Sequence, residues 1–273
     1  DIRDTFNLSA VYDLPIGRGR SIDAGKIGNA LFGGWSLGAI VNARSGIPLD
    51  VTITRPDIVI VCRNANGCIV PTGAGGGTIT LPNGYVANSF TPSASAPLPP
   101  GFVAVINSPG GGSSRQTRRP DLIPGVNPYL NNDRNFLNPA AFAAPAPGTF
   151  GNLPRNALTG PKFIQADLIA ARKIKLNERF NIELRTEIFN VFNRTNFANP
   201  PSVLSNPLPS FTVTPSSGGN PAYYSLNSGF LQPGQPFTQN RAGTAFGLLR
   251  STVERTVGLG TNRQIQFAAR LNF

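Results

Sequence analysis

Histidine is absent from the 273 residues, and so is methionine. Without histidine, neither a Ser/His/Asp nor a Cys/His nucleophilic relay can be assembled. Two cysteines alone cannot supply the four ligands of a structural zinc site. Acidic residues are scarce, 13 against 24 lysines and arginines, and only 14% of the chain is charged. That is little for a water-facing surface. No apolar run approaches the ~18 residues of a membrane-spanning helix. Helical spans are thereby excluded. Strand spans are not, since each shows only ~10 residues of alternating character. The missing methionine leads us to expect a processed chain or a fragment whose native start lies elsewhere. No secretory leader is visible at the first residues.

The excess of positive charge, +11, raises nucleic acid as a partner. The basic residues are scattered, however. Their densest cluster, RQTRRP at 115–120, lies in a Gly/Ser-rich stretch, so no nucleic-acid partner is expected. An enzyme is not expected either. Glu183 and Glu187 share a strand face but stand two strand repeats apart, roughly 13 Å. Glycosidase pairs need ~5–9.5 Å, and Arg185 between them points to a structural ladder. GRGR at 17–20 and GAGGG at 73–77 lack the lysine and following helix of a phosphate loop. No metal or other cofactor is implied. Cys62 and Cys68 enclose the turn-forming RNANG, which favours a short-loop disulfide in an oxidising compartment.

What the chain has in abundance is glycine and proline, 30 and 26 residues, and period-2 alternation in five segments. In TFNLSAVYDL the apolar parity is Phe6, Leu8, Ala10, Tyr12 and Leu14. From Trp35 to Ile53 every odd position but Ser45 is apolar, which predicts one strand that crosses a bilayer and continues beyond it. QADLIAARKIKL is weaker, because Arg172 falls on the apolar parity. In RFNIELRTEIFNVFN, Phe180, Ile182, Leu184 and Ile188 oppose Glu183, Arg185 and Glu187. In RQIQFAARLNF the apolar positions are Ile265, Phe267, Ala269, Leu271 and Phe273. The predicted strands lie near 3–14, 34–54, 165–176, 179–193 and 262–273. The predicted fold is all-β, an antiparallel meander.

The connections alternate between short and long. The segment 15–33 is modest and Asn177-Glu178 is a two-residue turn. The stretches 55–162 and 194–261 are too long for loops inside a compact soluble domain. Short turns at one end and long loops at the other are the layout of a transmembrane barrel. The long stretches contain apolar runs, DIVIVC and GFVAVI, suited to β-ribbons. The aromatics Phe211, Tyr223, Tyr224, Phe230, Phe237 and Phe246 argue for order there as well. On this layout the apolar parity meets outer-membrane lipid, and Glu183, Arg185 and Glu187 face the lumen.

The last segment resembles the β-signal read by the barrel-assembly machinery of bacteria, with Phe273 as terminal aromatic and Ile265, Phe267, Ala269 and Leu271 at every second position upstream. More of the chain resembles one family. DIRDTFNLSAVYDLPIGRGR, GGWSLGAIVNARSGIPL, GNLPRNALTGP and ELRTEIFNVFNRTNFANP are similar, in sequence and order, to the barrel part of Oar-like TonB-dependent receptors. Those carry a carboxypeptidase-regulatory-like domain at their N-terminus. The resemblance implies a barrel of about 22 strands around a plug, of which these would be the last five. The plug and the remaining strands would then be partners from the same protein, and TonB would engage through the plug. It implies a bacterial outer-membrane location, long extracellular loops, and uptake of a large or scarce nutrient such as an oligosaccharide or a peptide. Two other readings stay open: an Oar-like surface protein for adhesion or export, and a soluble secreted β-sandwich binding module.

Overall fold

The structure, a computed structural model, describes residues 2–17, 19–88, 97–107, 118–132, 134–177, 179–227, 230–253 and 262–273. It divides into two compact units. The first comprises Asp1–Pro48, Thr159–Asn199 and Leu249–Phe273. It is built on a five-stranded antiparallel sheet of β1 (Thr5–Asp13), β2 (Trp35–Arg44), β3 (Phe163–Lys175), β4 (Asn181–Phe189) and β5 (Gln264–Asn272), in that spatial order. A helix, α1 (Gly25–Phe32), stands between β1 and β2. Each strand has 9 to 13 residues, the length a tilted strand needs to cross a bilayer, ~9–11 residues or somewhat more.

Strand order equals chain order, because every neighbour pair is a meander step. The register keeps parities aligned. Phe6 lies opposite Ala43, Leu8 opposite Val41 and Tyr12 opposite Leu37. Leu168 pairs with Ala39 and with Ile188, and Ile188 pairs with Ile265. A one-residue slip would turn any strand's apolar set to the other face, so the match across four pairings makes two chemically distinct faces. The short connections, 14–34 and 176–180, leave from one end of the sheet. The stretches 45–162 and 190–263 leave from the other.

Three local features depart from the pattern read in the sequence. The odd parity runs to Ile53, but β2 stops at Arg44. Gly46 is the reason: a Cβ there would sit 1.8 Å from the Gly160 carbonyl oxygen, and Gly160 N–H donates to Ile47 O at 2.8 Å. This close backbone approach ends the strand. Leu49, Val51 and Ile53 keep their parity by burying in a different core. The turn before β4 is also longer than two residues. Leu176 N–H donates to Phe180 O at 3.0 Å, and Asn177 Oδ1 accepts from the amides of Arg179 and Phe180; Glu178 lies outside the described residues. At its far end, β4 stops at Phe189 because Asn190 and Asn193 adopt left-handed conformations, φ 51° each, which asparagine tolerates better than most residues.

The second unit, Leu49–Leu158 with Pro200–Leu248, draws on both long inserts. Ile58–Cys62 pairs with Phe102–Ile106 and with Val86–Asn88. Cys68–Thr72 pairs with Gly77–Leu81, and Phe211–Thr214 with Tyr223–Leu226. Thr52–Ile53 of one insert runs parallel to Val203–Leu204 of the other. One core gathers Leu49, Val51, Phe142, Leu204, Phe237 and Phe246; a second gathers Ile60, Val70, Phe102, Phe211 and Tyr224 around the Cys62–Cys68 disulfide. Despite their glycine and proline content, the inserts bury enough apolar surface to fold together.

Candidate functional site

The two faces of the five-stranded sheet are the places where this chain meets its surroundings. One face carries Phe6, Leu8 and Tyr12 of β1, Leu37 and Val41 of β2, and Leu168 and Ile174 of β3. It continues through Ile182, Leu184 and Ile188 of β4 to Ile265, Phe267, Ala269 and Leu271 of β5. These side chains are uncovered: Phe6 is 56% exposed, Leu8 51% and Phe267 80%. Phe273 follows β5 and is exposed too. In a soluble sandwich this face would be the one buried under a second sheet.

The opposite face is polar and ordered in cross-strand rows. Lys173 of β3, Glu183 of β4 and Arg270 of β5 lie directly opposite one another, so the one carboxylate stands between two cations. Two residues on, Arg185 pairs with Glu187 along the same strand. Asn272 Nδ2 donates to Asn181 Oδ1 at 2.9 Å, and Ser36 Oγ donates to Asp13. The three charged residues singled out from sequence thus share a face. Glu183 has a cation opposite it on each neighbouring strand, however, while Arg185 and Glu187 pair with each other. Lys173 and Arg270 could be identified only through the register, which alternation alone does not supply. The face is not uniformly polar: Val11, 79% exposed, and Ile40 share it.

Towards the end bearing the long inserts, the polar face becomes more elaborate. Arg44 lies over the Phe163 ring, 5.2 Å from its centroid. The two line a hollow of about 340 Å³ with Thr5, Asn7, Asn42 and Val253. Nearby in sequence, the carboxylate of buried Asp167 accepts from Gln165 Nε2 at 2.9 Å and from the Asn190 amide at 2.8 Å. Asn190 in turn exchanges two hydrogen bonds with the Arg194 backbone. This network fixes the chain where it leaves β4. It explains why the strand expected to run to Asn193 ends at Phe189: Asn190 and Asn193, read in the sequence as the end of that strand, belong to the turn that follows it.

A family model described as an outer membrane beta barrel domain matches residues 1–115 and 100–266. The chain belongs to that family. No curated protein and no solved structure matches it. As an outer-membrane β-barrel protein, located in the bacterial outer membrane, it has a direct physical use for both faces. Lipid offers no hydrogen-bond partners, so each strand must satisfy its backbone through its neighbours. An uncovered apolar face is suited to hydrocarbon, and an opposite polar face to a water-filled interior. The soluble-sandwich alternative falls with this assignment. No helix among the described residues is long and apolar enough to cross a membrane; the crossing elements are strands.

Proposed function

We propose that this outer-membrane β-barrel protein is part of a TonB-dependent receptor that takes up a large or scarce nutrient, an oligosaccharide or a peptide among the substrates. The observation that carries the reading is the folded insert unit, Leu49–Leu158 with Pro200–Leu248, grown from one end of a sheet whose strands are otherwise joined by short turns. A simple diffusion pore has no need of so much ordered chain in the connections between its strands. A receptor that selects a scarce solute does, because selection needs a preorganised surface. In this reading the inserts are extracellular and the connections 14–34 and 176–180 are periplasmic. Further strands and a plug of the same protein complete the barrel, and TonB acts through that plug. The apolar face of β5, from Ile265 to Leu271 with Phe273 beyond it, presents the pattern engaged by the barrel-assembly machinery.

The same insert unit also suits an Oar-like surface protein in adhesion or export, and one comparison separates the two. A strain deleted for the gene is grown on oligosaccharides or on peptides as sole carbon source, and its attachment to surfaces is scored in parallel. Uptake predicts a growth defect on at least one substrate class, reproduced by loss of TonB. Normal growth on every substrate with reduced attachment would overturn the uptake reading.

A further inference from the structure

Helix α1 has no counterpart in the alternation that marks the rest of the sheet, and it carries an amphipathic pattern of its own. At 100° per residue, Ile27, Gly28, Leu31 and Phe32 fall on one arc, and Lys26, Asn29 and Ala30 on the other. Ile27 is 77% exposed, Leu31 57% and Phe32 60%. The polar arc is held locally: Asn29 Nδ2 donates to Asp23 Oδ1 at 2.6 Å, and Asn29 Oδ1 accepts from the Ala24 amide. Its C-terminal carbonyls are bound by the sheet. Arg172 donates to Gly33 O at 3.2 Å and to Ala30 O, and Trp35 Nε1 donates to Leu31 O at 3.1 Å. The Arg172 guanidinium also stacks on the Trp35 ring at 5.6 Å.

Arg172 and Trp35 decide where α1 lies. They are opposite one another on the apolar face, the face that meets lipid, and their side chains grip the end of the helix. The helix is therefore on the outside of the barrel wall, at the end where the short connections emerge. A cation on the lipid parity, anomalous in the sequence, is accounted for by these carbonyls. We propose that α1 is an interfacial helix: its Ile27, Leu31 and Phe32 edge enters the acyl boundary of the phospholipid leaflet at that end, level with Trp35. The flanking charge suits phospholipid headgroups, since 15–33 holds Arg18, Arg20 and Lys26 against the single acid Asp23. An apolar edge with basic residues on the polar side is the pattern of helices that lie in a membrane surface, and tryptophan favours the same level.

The test uses the full-length protein refolded in phosphatidylethanolamine–phosphatidylglycerol vesicles, with single fluorophore labels at Ile27→Cys, Leu31→Cys, Lys26→Cys and, on the lipid face of β1, Leu8→Cys. The disulfide-bonded Cys62 and Cys68 do not take the label. Lipids carrying a shallow nitroxide should quench positions 27 and 31 at least about twofold more than position 26, and iodide in the buffer should show the reverse order. Equal iodide quenching at 26, 27 and 31 would place α1 in water and overturn the proposal. Shielding of 27 and 31 from both quenchers would mean that protein covers them, which overturns it too. Failure at α1 with normal quenching at Leu8 would leave the barrel assignment standing. Failure at Leu8 would bring down both.

Discussion

Gly46 shows how much a single missing side chain decides. Its hydrogen occupies the space into which the Gly160 carbonyl projects, and Gly160 in turn leaves room for Asn199, whose Oδ1 lies 1.8 Å from where a Gly160 Cβ would be. The Gly46 clash is with backbone, which no side-chain rotation can relieve. Gly46→Ala should therefore force the backbone apart and cost about 1–3 kcal/mol, as overpacked sites and strained backbones do. Gly75→Ala is the control, because no atom lies within 4 Å of its Cβ position. The heat-modifiable, folded fraction on gels should fall for the first variant and stay at wild-type level for the second. Arg55 plays a comparable part in the insert unit. Burial first, and then the charge of Arg118, brings its guanidinium down to about 10, so it remains a cation at neutral pH. It donates to Thr149 O, Pro145 O, Ala146 O and Asn107. Arg55→Ala would strand those acceptors, each worth ~1–3 kcal/mol when buried and unsatisfied. The insert unit should become sensitive to protease at lower urea, with Arg55→Lys intermediate. Wild-type resistance in Arg55→Ala would show that the carbonyls find water instead.

At the scale of the elements, the five strands were legible because each carries a two-residue alternation over nine or more residues, broken in β3 by Arg172, and only a sheet with two different environments imposes that. Their ends were less legible. β2 stops at Arg44 through a backbone contact between Gly46 and Gly160, residues more than a hundred positions apart, which no local pattern encodes. The short strands of the insert unit run for two to five residues, too few to establish a period, and only DIVIVC and GFVAVI stood out. Helix α1 went unread because its apolar arc spans barely two turns. Of the candidate site, sequence supplied the residues of each face, and the register supplied their partners. The face assignment itself can be tested within one strand. Phe267→Lys and Gln266→Lys place the same charge on adjacent residues of β5. On the lipid face a lysine near mid-bilayer costs ~2–4 kcal/mol; on the lumen face, where Gln266 lies opposite Glu187, it should cost almost nothing. Urea unfolding from lipid vesicles should separate the two variants by that margin. Similar midpoints would mean that β5 does not have lipid on its apolar side.

For the molecule as a whole, the open edges matter more than any face. Among the described residues β1 pairs only with β2, and β5 only with β4. Each therefore presents a row of backbone amides and carbonyls with no ladder partner. In water such an edge invites pairing with other chains. In hydrocarbon each unsatisfied group costs several kcal/mol, and a nine-residue edge carries several of them. No arrangement of lumen charges recovers such a sum, since cross-strand pairs contribute ~0.2–1 kcal/mol each. The sheet is thus stable in a membrane only when both edges find strands, and this requirement follows from topology alone, whatever the barrel transports. Two consequences can be measured on the same preparations. In the full-length protein in vesicles, the β1 and β5 amides directed away from β2 and β4 should resist hydrogen exchange as strongly as those of β3. In the isolated 273-residue chain those same amides should exchange quickly or be protected only in oligomers, and light scattering in detergent-free buffer should find no monomer that unfolds cooperatively. A monomeric chain with a sharp transition and slowly exchanging edge amides would mean that β1 and β5 satisfy their edges within this chain, and the sheet would then not be a segment of a larger wall.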